Sequence, residues 1–156
     1  MKASNPDMMH RIARSGMIAA LYVVLTLLFQ PISFGPVQFR VSEALTVLPI
    51  LTHDAVPGLF IGCLLANLLG GGVWFDVVLG SIATLLAALC MRKLRDKPFL
   101  AALFPTIFNG LIVGPVVYFA FVHAPGSAVN GFALLSTAGS VALGEWVVCY
   151  ALGLPL

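Results

Sequence analysis

Ser42-Glu43-Ala44-Leu45-Thr46-Val47-Leu48-Pro49-Ile50-Leu51-Thr52-His53-Asp54-Ala55-Val56-Pro57-Gly58-Leu59-Phe60-Ile61-Gly62-Cys63-Leu64-Leu65-Ala66-Asn67-Leu68-Leu69-Gly70 is either one long apolar helix or a hairpin of two short ones. Thr52 to Gly58, with a Pro-Gly pair, reads as a turn. The basic residues favour the hairpin. Lys2, Arg11 and Arg14 place the N-terminus in the cytoplasm, and the other basic cluster, Arg92, Lys93, Arg95 and Lys97, belongs on the same side. An even number of crossings must separate them. A 42–70 hairpin supplies four; a single helix supplies three and strands four positive charges outside.

Working outward, the apolar blocks fall at roughly 9–30, 42–52, 55–70, 73–94, 98–122 and 131–153. About 20 apolar residues cross a bilayer, so the first, fourth, fifth and sixth blocks are long enough. The short pair packs within the bundle and need not match the full membrane thickness. The expected fold is an all-α integral membrane protein: one domain over residues 1–156, six transmembrane helices, both termini cytoplasmic. Arg11 and Arg14 followed by an apolar run look like a secretion signal, but Gln30-Pro31-Ile32 follows without a small-x-small cleavage site. A retained first span is expected.

Composition agrees. Of 156 residues, 60% are hydrophobic and 9% charged, against roughly 25% charged in a soluble domain. Lipid can cover that much apolar side chain; water cannot. A net charge of +2 gives no nucleic-acid surface. Cys63, Cys90 and Cys149 lack CxxC spacing and neighbouring histidines, so they read as packing residues. No histidine or carboxylate pair has metal-ligand spacing, and His53 and His123 are turn residues. No GxxxxGK[ST] phosphate loop occurs, so the chain is not expected to hydrolyse ATP.

Three acids, Glu43, Asp76 and Glu145, are embedded in apolar sequence. At mid-membrane such a group costs about 2.5–3.5 kcal/mol on insertion scales, so it survives by binding or pairing with something. The six-helix topology carries Arg40, Glu43, Asn67, Trp74, Asp76 and Tyr118 to the external half, with Asn109 and Glu145 deeper. That is the geometry of a solute site reached from outside. Arg40 and Glu43, three apart at a helix start, are either a local ion pair or ligand contacts. Asp76 is either a helix N-terminal carboxylate or part of the same vestibule. Asn67 and Asn109 are either interhelical glue or readers of a ligand's polar edge. Phe39, Trp74 and Tyr118 either stack on a planar ring or pack. Ala13, Gly16 and Ala20 form a small-residue face on the first helix, for another helix of the bundle or of a partner. Gly114-Pro115 and Pro49 mark expected breaks.

These residues carry a family resemblance. Gln38-Phe-Arg-Val-Ser-Glu-Ala-Leu-Thr-Val-Leu-Pro49, Pro57 to Gly71, Asp76 to Ala88 and Gly144-Glu-Trp-Val-Val-Cys-Tyr to Leu156 resemble the queuosine-precursor transporter family, QueT, over nearly the whole chain. The resemblance implies a substrate-binding (S) component of an energy-coupling-factor (ECF) transporter in the bacterial cytoplasmic membrane. Such a component is a six-helix bundle that captures a solute outside. It docks on a transmembrane coupling subunit and two ATPases, which use the ATP. The docking face implied for this chain is Ala13, Gly16 and Ala20, with Gly16 where alanine is more usual. The implied substrates are deazaguanine bases, queuine among them. A carboxylate accepts two hydrogen bonds from a purine-like amide edge; Glu145 or Glu43 is expected there, with Asp76 for an aminomethyl group. No catalytic role, metal or cofactor is expected in this chain. The competing readings are an S component for another vitamin-like heterocycle, an ion-coupled carrier, and an intramembrane enzyme using Glu145 and Asp76 as acid and base.

Overall fold

A computed structural model describes residues 6–34 and 39–156; Lys2 and Gln38 lie outside the described residues. Every regular element among the described residues is helical. The order is α1 (Pro6–Leu28), a single turn α2 (Gln30–Ser33), α3 (Val41–Leu51), α4 (Ala55–Leu69), α5 (Trp74–Lys93), α6 (Pro98–Val122) and α7 (Gly131–Gly153). Helices α1, α5, α6 and α7 are long and apolar enough to cross a membrane; α3 and α4 are shorter.

Helix α3 winds as a 3-10 helix over Val41–Val47 and as an α-helix over Leu48–Leu51. The tighter winding rises about 2.0 Å per residue against 1.5 Å, so a short segment reaches further into the bundle. Helix α4 ends at Gly70, whose N–H bonds the Ala66 carbonyl at 2.8 Å, and Gly71 turns the chain with a φ of 78°. That left-handed conformation costs glycine nothing and a side-chain residue about 1–2 kcal/mol. Helix α6 is not a simple kinked rod. It opens into π-helical turns at Asn109–Val113 and Tyr118–Val122, around Gly114-Pro115. Pro115 has no N–H to donate, so the ladder widens there.

Close packing between α1 and α4 depends on glycines that the sequence reading did not single out. A Cβ on Gly58 would lie 2.7 Å from the Ser15 carbonyl oxygen; one on Gly62 would lie 2.9 Å from the Tyr22 Cβ and 3.0 Å from the Ala19 Cα. Gly58-x-x-x-Gly62 is thus the small-residue face used within the bundle. Ala13, Gly16 and Ala20 lie elsewhere on α1. All three are exposed, and nothing stands within 4 Å of a Cβ built on Gly16.

The two basic clusters meet the same short segment. Arg11 and Arg14 each bind a carboxylate oxygen of Asp54 at 2.9 Å, and Ser15 donates to the Asp54 carbonyl at 2.7 Å. Arg92 donates to the carbonyls of Pro49 and Ile50 at 3.2 and 3.3 Å, satisfying orphan acceptors at the end of α3. The first turns of α1 and the last turn of α5 therefore lie at one end of the bundle, beside the 52–54 turn.

Candidate functional site

The unusual feature of the interior is its polarity. Arg40, Glu43, Asn67, Asp76, Asn109 and Glu145 are all at most 5% exposed, in a class of protein where buried ionisable groups are rare and mark sites. They arrive from five helices. Arg40 precedes α3 and Glu43 lies in its first turn, against α7; a Cβ on Gly153 would sit 3.0 Å from the Ala44 carbonyl, so these two elements touch at backbone distance. Asn67 comes from the last turn of α4, Asp76 from the first turn of α5, Asn109 from the opening of the π turn in α6, and Glu145 from α7.

Arg40 does not pair with Glu43. Its guanidinium bonds the Asp76 carboxylate, and its carbon lies 5.5 Å from the centre of the Phe34 ring. Position explains the correction. Asp76 projects from a different helix into the core, where the guanidinium is also enclosed, and a buried arginine cannot shed its charge. Asn67 holds the same turn by donating to the Asp76 carbonyl at 3.2 Å. Gly80, one turn further along α5, makes room for all three. A Cβ there would stand 3.0 Å from Asp76 Oδ1, 3.3 Å from Asn67 Nδ2 and 3.7 Å from an Arg40 nitrogen.

Glu43 has different partners. The Tyr22 hydroxyl donates to its Oε1, and the Thr84 hydroxyl lies 3.3 Å from the same oxygen. Thr26 donates to Ser42 at 2.7 Å, fastening the far end of α1 to the start of α3. The Cys63 thiol packs in the apolar core between α1 and α4, as expected, and also lies 3.4 Å from Thr84 and 3.5 Å from Asn67. Cys149 touches the other side of α3, 3.6 Å from the Thr46 hydroxyl. Glu145 lies beside Asn109 and within electrostatic reach of Glu43 and Arg40.

Six side-chain atoms of this cluster are buried without a hydrogen-bond partner: Arg40 Nε, Glu43 Oε2, Asn67 Oδ1, Asp76 Oδ1, Asn109 Nδ2 and Glu145 Oε2. Each such atom costs about 1–3 kcal/mol when left unmade. They belong to residues that α4, α5, α6, α7 and the start of α3 bring into the buried interior. Above them a cavity of about 150 Å³ is lined by Phe34, Gly71, Gly72, Val73, Asp76, Val116, Val117, Ala120 and Phe121. Ligand pockets run to about 300–1,000 Å³, so this cavity is smaller than a usual ligand site. A larger groove of about 630 Å³ between α5 and α6 has an entirely apolar lining, including Phe75, Leu79, Leu111, Ile112 and Phe119. It offers a polar solute nothing and suits lipid chains.

The remaining sequence candidates lie apart or at the edge. Phe39 is half-buried next to Arg40. Trp74 is 68% exposed and faces away from the cluster; two residues before Asp76, it falls on the opposite side of the helix. Tyr118 is buried, but its hydroxyl accepts from the Asn130 N–H at 2.9 Å and its ring lies against Phe119 and His123. Sequence reasoning missed Tyr22, Thr84, Cys63, Gly80 and Phe34. Tyr22 and Thr84 sit in strongly apolar runs, and only the two-turn spacing from Asp76 to Thr84 pointed to a shared face.

No solved structure matches this chain. A curated relative, the queuosine precursor transporter QueT of Lactococcus lactis subsp. cremoris (strain MG1363), is 31% identical over an alignment 143 positions long that takes in 83% of this chain and 79% of the relative. The family model described as QueT transporter matches residues 12–156. With four helices among the described residues long and apolar enough to span a bilayer and that match, this multi-pass bacterial membrane protein belongs to the QueT transporter family.

Proposed function

We propose that this chain is the substrate-binding subunit of an ECF-type importer. It captures a queuosine precursor, a deazaguanine base such as queuine, from outside and delivers it by docking on an ATP-driven module. The observation that carries this reading is the set of six unpartnered polar side-chain atoms, on Arg40, Glu43, Asn67, Asp76, Asn109 and Glu145, buried in the interior of a member of the QueT transporter family. A planar base with an N–H-rich edge supplies the donors that Glu43, Glu145 and Asp76 lack. Its carbonyl and ring nitrogen meet Arg40 and Asn109, Asn67 adds an acceptor, and Phe39 or Phe34 covers a ring face. No bond in the substrate is made or broken.

In this reading the chain crosses the membrane six times with both termini in the cytoplasm. The convergence of Arg11, Arg14 and Arg92 on the residues 49–54 segment supports it, because both basic clusters then share one side. The opposite end, with Gly70 to Gly72, Asp76 and Phe34, faces outside. The exposed Ala13, Gly16 and Ala20 receive the coupling subunit, and two ATPase subunits hydrolyse ATP.

Uptake of a labelled deazaguanine tests the proposal. Cells unable to make queuosine should accumulate label only when this chain is expressed with a coupling subunit and ATPases. The purified chain alone should bind without transporting. Uptake by the chain alone, undiminished without ATPases, would exclude the subunit reading.

A further inference from the structure

Glu43 is fastened at its backbone and at one of its two carboxylate oxygens. Its N–H bonds the Arg40 carbonyl at 3.0 Å, and its own carbonyl accepts from the Thr46 hydroxyl at 2.6 Å. The Tyr22 hydroxyl donates to Oε1, and the Thr84 hydroxyl lies 3.3 Å from the same atom. Thr84 also lies 3.1 Å from the Gly80 carbonyl oxygen, and its single proton serves one acceptor at a time. Tyr22 is therefore the principal donor. Oε2 is buried and takes no hydrogen bond from the protein.

Tyr22 reaches Glu43 because α1 and α4 approach closely. A Cβ on Gly62 would stand 2.9 Å from the Tyr22 Cβ. The tyrosine is fully buried, in one core cluster with Leu45, Leu59 and Cys63. Thr26, one turn further along α1, lies 2.7 Å from the Ser42 hydroxyl and ties the helix to the residue before Glu43. The hydroxyl thus comes from a side chain with little freedom of its own. Asp76 shows the same division of labour: Arg40 takes Oδ2, and Oδ1 is left without a partner. There the anchor is a cation; at Glu43 it is a neutral donor, which fixes an oxygen without cancelling a charge.

We propose that Tyr22, seconded by Thr84, is a positioning residue for the ligand: it claims Glu43 Oε1 and leaves Oε2 as a fixed acceptor for an N–H of the bound base. This rests on Glu43 being a ligand contact, as proposed above. A carboxamide exposes the device. In Glu43→Gln the amide oxygen takes the Oε1 place, because Tyr22 donates there, and the NH2 group takes the Oε2 place. The ligand's N–H then meets a donor. Turning the amide over returns an acceptor to the ligand but leaves the buried Tyr22 proton without one, which is costly. Removing the phenol hydroxyl frees the amide to turn. Tyr22→Phe therefore acts in opposite directions in two backgrounds. With the native acid it loosens a correctly placed acceptor. With Glu43→Gln it releases a wrongly placed donor.

Equilibrium binding of 7-deazaguanine to the purified, detergent-solubilised chain tests the sign reversal. The samples are the native chain, Tyr22→Phe, Glu43→Gln and the double variant, each folded by its melting curve. Glu43→Gln should lose about tenfold or more in affinity. Tyr22→Phe alone should lose about threefold or more, and added to Glu43→Gln it should recover about threefold or more. A tyrosine that only supports the fold would weaken binding in both backgrounds or in neither. Either result overturns the positioning role and leaves Glu43 as the ligand contact. Equal affinity in the native and Glu43→Gln chains, or no binding by the native chain, overturns the contact and the positioning role together. If Tyr22→Phe does not fold, Thr84→Val, which removes the second donor to Oε1, goes through the same two backgrounds. The same opposite signs are expected at smaller size, and equal signs overturn the proposal.

Discussion

Arg40 and Asp76, 36 residues apart in the chain, form an ion pair inside the bundle, each side chain 3% exposed. Removing one member strands the other charge in the interior, at a cost of about 3–5 kcal/mol. Asp76→Asn or Arg40→Met alone should therefore lower the melting temperature sharply. The double variant Arg40→Met Asp76→Leu should regain most of the stability without regaining ligand binding. Thermal unfolding in detergent, with a binding assay on the same samples, separates the two effects. A double variant no more stable than the singles would show that the pair is not the energetic unit.

Gly80 is the space between Asp76, Asn67 and Arg40. Gly80→Ala gains up to about 1 kcal/mol of helix propensity, but places a methyl 3.0 Å from Asp76 Oδ1. The expected outcome is a near-neutral melting temperature with affinity for a deazaguanine down about tenfold or more. Unchanged affinity would place the ligand away from this turn.

Variants at Gly16 and Gly62 test the proposed docking face apart from folding. Gly62 touches Tyr22 and Ala19, whereas Gly16 has nothing within 4 Å. Gly62→Leu should abolish accumulation of folded protein in the membrane. Gly16→Leu should change stability by less than about 0.5 kcal/mol, as exposed substitutions do, and should lose co-purification with a coupling subunit. Retained co-purification in Gly16→Leu Ala20→Leu would move the docking face elsewhere.

Tyr22 supports Glu43 from a helix that contributes little else to the interior. Tyr22→Phe removes one donor to Glu43 Oε1 and should cost about 1–3 kcal/mol. Its effect should vanish in a Glu43→Leu background, because the partner is already gone. A double-mutant cycle on thermal stability reads this directly.

The helices were legible because they are apolar blocks broken at Pro-Gly, Gly-Gly-Gly and charged turns, and lipid-facing surface needs no finer code. The convergence of Glu43, Asn67, Asp76, Asn109 and Glu145 was legible too, since each is a costly residue in an apolar run. Partnership was not. Arg40 and Glu43 are near neighbours in sequence, yet Arg40 bonds Asp76 at the start of α5 whereas Glu43 accepts from Tyr22 on α1. Trp74 could have been placed by helix geometry alone, two positions from a buried Asp76. Gly58 and Gly62 carried the same signal as Gly16 and Ala20, and nothing local distinguishes a face that packs within the bundle from one left open. Tyr22 and Thr84 were hidden because a hydroxyl in an apolar helix reads as ordinary until its acceptor is known.

Recognition of the ligand by the buried carboxylates is read by equilibrium binding of 7-deazaguanine to the purified chain, with Glu43→Gln, Asp76→Asn and Glu145→Gln side by side. The native chain should bind, and at least one carboxamide variant, folded by its melting curve, should lose tenfold or more in affinity, about 1.4 kcal/mol. Binding of equal strength in all three variants would contradict carboxylate recognition.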